Sequence, residues 1–284
     1  MAIKRAVILA GGKGERLRPL TNDKPKTMVE IDGSPLMAYQ LHWLQSCGVE
    51  EVVVACGYQH EVIQNYFGDG SKWQLKINYA IEKEPLGRGG ALKNALAHFI
   101  GNPNPNKQKF QHELLAKIEN ELLSADRMPK NQIGQFLQAM KNSIAEPIIA
   151  MNGDMVTKLP LHELERFFFE HPALATLVTV PLKSPYGILD LKEGNVITGF
   201  REKPELPYWI NAGIYILHPD IYDLLPDKGD HEELTFPDLA KGNLLRAFQS
   251  RHFWKTVDTV KDLSELSAEL SSFPAEEKPL AVRH

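Results

Sequence analysis

Arg5-Ala6-Val7-Ile8-Leu9-Ala10-Gly11-Gly12-Lys13-Gly14-Glu15-Arg16-Leu17-Arg18-Pro19-Leu20-Thr21 is the stretch on which the fold turns. Its short apolar run, closed by two glycines, has the length of a buried strand and not of a helix. The three glycines that follow let the backbone approach a ligand and leave N–H groups free for phosphate oxygens. Lys13, Arg16, Arg18, Lys24 and Lys26 then crowd into a short span and form a local anion trap. Two common phosphate motifs fail here. The Gly-Lys-Ser/Thr ending of a P-loop is missing. A dinucleotide fingerprint meets Leu17 where its third glycine is needed, and the chain runs on into Arg18-Pro19 instead of a helix. Taken alone, the stretch also admits a bland reading, a glycine-rich turn beside a solvated basic loop.

Outward from it, strand-like and helical segments alternate. Leu36, Met37, Leu41, Trp43 and Leu44 recur at helical spacing between Pro35 and Cys47, and Gly48 is a stop. Glu51–Cys56 is a second buried strand, His60–Phe67 a short helix, Leu75–Ile81 a third strand and Gly89–Ile100 another helix. This order predicts an α/β fold, a mostly parallel sheet flanked by helices on both faces. Residues 102–145 break the rhythm. Phe110, Leu114, Ile118 and then Ile133, Phe136, Met140 lie on two helical faces, so an inserted helical hairpin is expected. Alternation resumes with Pro147–Met151, a strand entering Asn152-Gly153-Asp154, then the helix Leu161–Glu170 and the strand Ala175–Val180. From Tyr186 come short strands, Gly187–Leu191, Val196–Phe200 and Trp209–Leu217, expected as small antiparallel additions at the sheet edge. Val260–Leu270 is a closing helix. With no repeat and no low-complexity linker, a single domain over 1–284 is expected.

The chain has 284 residues, 43 % apolar and 24 % charged, enough for a substantial core and too apolar for global disorder. A net charge of −4 argues against general nucleic-acid or anionic-membrane binding. Cys47 and Cys56 make no disulfide framework and match no zinc spacing; both are expected as small buried hydrophobes. The N-terminal apolar run is too short for a signal peptide, and no stretch approaches the ~20 apolar residues of a membrane span. A cytoplasmic setting is the expectation.

Four further motifs follow the first loop in order: Glu84-Pro85-Leu86-Gly87-Arg88-Gly89-Gly90-Ala91, Asn152-Gly153-Asp154, Arg201-Glu202-Lys203-Pro204 and Trp209-Ile210-Asn211-Ala212-Gly213. Together with Gly11-Gly12-Lys13-Gly14-Glu15-Arg16-Leu17-Arg18-Pro19-Leu20-Thr21 and Lys24-Pro25-Lys26, the chain resembles the sugar-1-phosphate nucleotidyltransferases over roughly residues 3–101 and 146–270. The resemblance implies a Rossmann-like sheet and the reaction of a nucleoside triphosphate with a sugar 1-phosphate to give a nucleotide sugar and pyrophosphate. Both partners are anionic, so charge must be screened and the two aligned. By motif, Gly11, Gly12 and Gly14 with Pro85, Gly87 and Gly153 would meet the nucleotide. Arg16 would hold the departing phosphates and Lys26 would stabilise charge at the α-phosphate. Asp154 would ligate Mg2+, the implied cofactor. Lys203 would bind the sugar's phosphate, with Gly187, Glu202 and Asn211 around the sugar. The bland counterparts are an N-cap for Asp154 and a surface pair for Glu202 and Lys203.

One position departs from the commonest family pattern. Many members carry a second metal-binding aspartate in Trp-x-Asp-x-Gly-Thr, where this chain has Thr256. The available carboxylate is Asp258, in a Trp-x-x-x-Asp-Thr arrangement similar to the cytidylyltransferase branch. A shift of two residues along a strand keeps the face, so Asp258 is expected as the second metal ligand. GTP or UTP with mannose or glucose 1-phosphate is the leading expectation. A CTP-dependent glucose-1-phosphate cytidylyltransferase and a catalytically silent sugar-nucleotide-binding regulatory subunit are the alternatives. An NAD-dependent oxidoreductase is disfavoured by the missing third glycine. A homo-oligomer held partly by the 102–145 hairpin is expected, because its apolar faces need cover; packing of the hairpin on itself and the parent sheet, and a lid over the nucleotide base, are the alternatives.

Overall fold

β-branched residues with no polar side chain among them, such as Val52-Val53-Val54, can only be stable where both faces are covered. The computed structural model describes residues 3–100 and 146–272. Its strands in chain order are β1 (Arg5–Leu9), β2 (Glu30–Ile31), β3 (Ser34–Pro35), β4 (Glu51–Cys56), β5 (Lys76–Ile81), β6 (Ile148–Asn152), β7 (Met155–Thr157), β8 (Ala175–Lys183), β9 (Ile188–Lys192), β10 (Val196–Arg201), β11 (Glu205–Leu217), β12 (Leu245–Gln249) and β13 (Trp254–Thr256). Seven of them form one sheet in the order β12-β8-β11-β6-β1-β4-β5. β1 lies at its heart, Val7 facing Val53 of β4 and Ala150 of β6 in parallel register. Alternate residues of β1 enter two different cores. Val7 packs with Val53, Leu92 and Tyr215 on one face, and Ile8 with Met37, Leu41 and Val54 on the other. The sheet is therefore clothed on both sides, as the alternating pattern predicts.

β11 differs from the expectation. It is antiparallel to both β8 and β6 and runs through the interior of the sheet, not along its edge. Its second half, Ala212–Leu217, is buried throughout and needs cover on both faces and both edges. Its first half, from Glu205, is largely exposed and gives the strand the look of an edge addition. β9 and β10 do form a separate antiparallel hairpin. Its turn carries Gly194 and Asn195 with φ 76° and 60°, the left-handed pair that a tight hairpin needs.

Because β11 is antiparallel to both of its neighbours, β8 runs parallel to β6, β1, β4 and β5. Their carboxyl ends share one edge of the sheet, the edge where open α/β sheets bind ligands. The loops that leave it hold Gly11–Gly14, Glu82–Gly87, Gly153-Asp154 and Gly187. Helices Leu36–Ser46, His60–Phe67, Gly87–Leu96, Leu161–Glu170 and Val260–Ser271 stand close to their expected bounds. Gln40, on the first of these, fixes the site from below, its Nε2 donating to the carbonyls of Asn152 (2.8 Å) and Met155 (3.0 Å). Cys56 is fully buried and burial, with Glu82 and Glu61 nearby, pushes its thiol up to about 12. Cys47 is only partly buried. No helix among the described residues is long and apolar enough to cross a membrane. The expected hairpin at 102–145 lies outside the described residues.

Candidate functional site

The first glycine loop leaves β1 with Ala10 N–H still bonded to Ala55 O at 2.7 Å. Gly14 has φ 65° and ψ 38°, a left-handed turn that swings the chain back toward Lys26. Thr21 Oγ1 closes the loop by donating to Gly14 O at 2.8 Å. Beside it, Gly153 N–H donates to Leu9 O at 2.9 Å. A Cβ on Gly153 would lie 2.6 Å from Thr27 Cγ2 and 2.7 Å from Leu9 O, so only glycine lets β6 end against β1 in this way.

Between these loops lies a cavity of about 310 Å3. Gly11, Gly12, Pro85, Gly87 and Gly153, all expected at the nucleotide, line it together with Lys26 and Asp154. Gly14 does not line it but shapes the loop that does. Thr27, Glu82, Arg88 and Asn152 also line it. The Thr27 Oγ1 and Asn152 Oδ1 atoms are buried and have no hydrogen-bond partner among the described residues. Such atoms are costly unless a ligand supplies the missing bond.

At the mouth stands the charged centre. Lys26 Nζ lies 2.9 Å from Asp154 Oδ2 and 2.8 Å from Asp258 Oδ1. Arg16 Nη2 meets the same Asp258 oxygen at 2.8 Å from the solvent side. The short pairing of β13 with β7 delivers Asp258: Thr256 faces Met155, and Val257 N–H donates to Asp154 O at 2.8 Å. The two carboxylates thus converge on one point that already holds a positive charge. That donor set fits Mg2+, which takes one or two carboxylates and completes its oxygen shell with water and substrate phosphate. Among the described residues no cluster of three or more metal-ligating side chains competes with it.

The residues expected at the sugar are less tightly gathered. None of Gly187, Glu202, Lys203 and Asn211 lines the cavity. Gly187 and Glu202 do meet, since a Cβ on Gly187 would lie 3.0 Å from Glu202 Oε2. Lys203 is exposed, at φ 44°, in the turn between β10 and β11. Gly187 and Glu202 lie beyond the carboxyl end of β8, on the edge that carries the cavity. Asn211 on β11 donates through Nδ2 to Glu232 Oε1 at 2.7 Å and to Tyr215 Oη at 3.1 Å. Glu232 Oε2 pairs with Arg88 Nη1 at 2.7 Å, which connects Asn211 to the cavity wall.

Glu82, Arg88, Tyr215 and Glu232 were not singled out by sequence reasoning. Arg88 was within reach, inside a quoted motif, and Glu82 is the first residue after the run that forms β5. Glu232 carries no local signal, because its partners are 21 and 17 positions away on β11.

The nucleotidyl transferase family model matches residues 5–142 and 100–272. The mannose-1-phosphate guanylyltransferase 1 of Arabidopsis thaliana is 31 % identical over 265 residues, covering 91 % of this chain and 62 % of the relative. The mannose-1-phosphate guanyltransferase of Saccharomyces cerevisiae is 30 % identical over 266 residues with the same coverage. The chain therefore spans about 62 % of the length of these relatives. In fold it is similar to HddC from Yersinia pseudotuberculosis, with a TM-score of 0.62 at 23 % identity over 94 % of this chain and all of that one. Together with the glycine loop, the paired aspartates and the mixed seven-stranded sheet, these matches place the chain in the nucleotidyl transferase family.

Proposed function

We propose that the protein transfers a nucleotidyl group from GTP to a hexose 1-phosphate, mannose 1-phosphate first among candidates, and releases pyrophosphate. The observation that carries the transfer is the single ammonium of Lys26 held between Asp154 and Asp258 at the mouth of a glycine-walled cavity. Such a centre suits an α-phosphate, whose charge needs local screening in an otherwise acidic protein. A phosphate oxygen of the sugar phosphate attacks the α-phosphorus. The bond from that phosphorus to the bridging oxygen of the β-phosphate breaks, and pyrophosphate leaves with the bonding electrons. Lys26 holds charge at the α-phosphate and Arg16 meets the departing phosphates. Gly11 and Gly12 present backbone to the nucleotide, Lys203 meets the phosphate of the sugar 1-phosphate, and Gly187, Glu202 and Asn211 meet its sugar. Asp154 and Asp258 would hold Mg2+, which, when bound, supplies screening of the triphosphate charge.

The choice of guanine rests on Glu82. Its Oε2 accepts Leu86 N–H at 3.0 Å, and its Oε1 points at the glycine loop, 2.9 Å from where a Cβ on Gly11 would stand. A carboxylate offers only acceptors. Guanine presents two adjacent donors, N1–H and the 2-amino group, and pairs with it. Uracil presents one N–H between two carbonyl oxygens, which a carboxylate repels. The similarity to mannose-1-phosphate guanylyltransferases at about 31 % identity points the same way. The test is pyrophosphate release from GTP, UTP, CTP and dTTP, each with mannose 1-phosphate and glucose 1-phosphate. GTP with mannose 1-phosphate should give the highest kcat/KM. Faster turnover of UTP or CTP would overturn the base assignment, and no turnover with any pair would overturn the transfer.

A further inference from the structure

Asn211 and Tyr215 lie on β11 on either side of Gly213, where the register with β8 shifts and φ reaches 71°. The irregularity brings both side chains onto one carboxylate. Tyr215 Oη donates to Glu232 Oε1 at 2.7 Å, the atom that also accepts from Asn211 Nδ2. Asn211 Oδ1 accepts Gly213 N–H at 2.9 Å. Tyr215 is fully buried, and burial followed by the Glu232 charge drives its phenol far above the ordinary range, so it stays a donor. A carboxamide has two N–H donors and one oxygen with two lone pairs. Here both donors are spent, on Glu232 and Tyr215, and one lone pair is left. A flipped amide would set oxygen against the Glu232 carboxylate and N–H against the Gly213 N–H, so the orientation is dictated.

The chain of bonds continues to the nucleotide side. Glu232 Oε2 takes Arg88 Nη1 at 2.7 Å, and Arg88 Nε donates to Asp230 at 2.6 Å. Asp230 Oδ1 in turn accepts Glu232 N–H at 2.9 Å. Backbone bonds weld the same loop to the first turn of helix Gly87–Leu96: Gly89 N–H to Gly229 O and Gly229 N–H to Leu86 O, both 2.8 Å. The contact is so close that a Cβ on Gly87 would lie 2.6 Å from Gly229 O.

We propose that Glu232 is a positioning residue that locks Asn211 as a pure hydrogen-bond acceptor toward the sugar and ties it to Arg88 on the nucleotide wall. The inference rests on the reading of Asn211 as a sugar contact, and it adds that the sugar hydroxyl there is the donor. Glu232→Gln places an N–H either against Asn211 and Tyr215 or against Arg88, so one donor always faces another. It should raise KM for the sugar 1-phosphate about tenfold and leave KM for the triphosphate within about twofold. Asn211→Asp alone sets two carboxylates together and should do as much harm. The double variant, Glu232→Gln with Asn211→Asp, restores every partner. The carboxamide introduced at position 232 donates to the carboxylate introduced at position 211, its oxygen faces Arg88, and Tyr215 donates to that carboxylate. The pair should return KM to within about threefold of the starting protein. Rescue of KM by this swap is not expected of a residue that only holds the fold, whose loss would appear in Tm and kcat.

Asn211→Ala separates the two ideas. If it leaves sugar KM unchanged, the reading of Asn211 as a sugar contact falls and the proposal with it. If it raises KM while Glu232→Gln does not, the proposal alone falls. A second readout needs no turnover. In protein labelled with 15N-asparagine, the two side-chain amide protons of Asn211, identified by their loss in Asn211→Asp, should both lie downfield of a free carboxamide because of their bonds to Glu232 and Tyr215, and Glu232→Gln should abolish that shift. Free-carboxamide shifts in the unaltered protein would overturn the proposal.

Discussion

Lys26→Met removes one charge and keeps an unbranched apolar stem. The Lys26 side chain is only 12 % exposed, while Asp154 and Asp258 are 33 % and 35 % exposed. Two unit charges about 4 Å apart gain about 1 kcal/mol in water and about 4 kcal/mol at the effective dielectric of a protein surface. Partial exposure brings each pair toward the lower figure, about 1–2 kcal/mol. Without Lys26 the carboxylates face each other, and among the described residues only Arg16, 72 % exposed, remains paired with Asp258. In EDTA the variant should lose about 2–4 kcal/mol of stability, or about 4–16 °C in Tm at roughly 2–4 °C per kcal/mol. A divalent cation entering between the carboxylates no longer has to displace the ammonium. In the absence of nucleotide its affinity should therefore rise about tenfold, the equivalent of about 1.4 kcal/mol. Activity should move the opposite way, falling about 100- to 1,000-fold as a positioned electrostatic group is lost. Thermal unfolding in EDTA and in MgCl2, with Mn2+ binding followed by electron paramagnetic resonance, measures both effects. Mn2+ affinity that is unchanged or weaker in Lys26→Met would refute the idea that one point between the two aspartates serves both cations.

Glu82→Gln replaces an acceptor-only group by one donor and one acceptor; KM for GTP should rise about tenfold or more and the GTP/UTP preference should narrow, as steady-state kinetics with both nucleotides would reveal. Gly153→Ala drives a methyl group into Leu9 O and Thr27 Cγ2, and because the β1 backbone cannot retreat it should cost about 1–3 kcal/mol in denaturant unfolding. His231 is fully buried, and burial holds its imidazole below the ordinary value of 6.5. The unfolded chain then binds the extra proton more readily, so this contribution to stability is complete above about pH 6.5 and is lost as pH falls below it. His231→Phe, which keeps the edge-on packing against Tyr215 and Phe236, should flatten the slope of Tm between pH 7 and 5. An unchanged slope would remove His231 as its source.

The alternation of apolar strands and helices made the sheet legible from sequence, because a run such as Glu51–Cys56 has few other ways to be buried. The place of β11 was not legible. Its exposed first half and the preceding hairpin suggest an edge, and only the tertiary demand of its buried second half takes it to the interior. The site was legible in parts. Glycines mark where backbone must come close, and a basic cluster in an acidic chain marks where an anion goes. The meeting of Lys26 with Asp154 and Asp258 spans 128 and 232 positions, so spacing is silent about it and it was anticipated only through resemblance. Asp258 took its place through the three-residue pairing of β13 with β7, which left little pattern to detect. Glu232 had no signal at all, since what defines it is a carboxylate's encounter with two side chains on a strand it does not neighbour in sequence.

The proposed reaction passes the nucleotidyl group of a nucleoside triphosphate to a sugar 1-phosphate at the Lys26–Asp154–Asp258 centre. Its most direct test follows the label of α-32P GTP incubated with mannose 1-phosphate and Mg2+, in the unaltered protein and in Asp154→Asn. All transferred label should appear in the nucleotide sugar, and the pyrophosphate should be unlabelled. The variant, folded by circular dichroism, should make at least about 100-fold less product. Label released as GMP or GDP without a sugar product, or full transfer by Asp154→Asn, would contradict the claim.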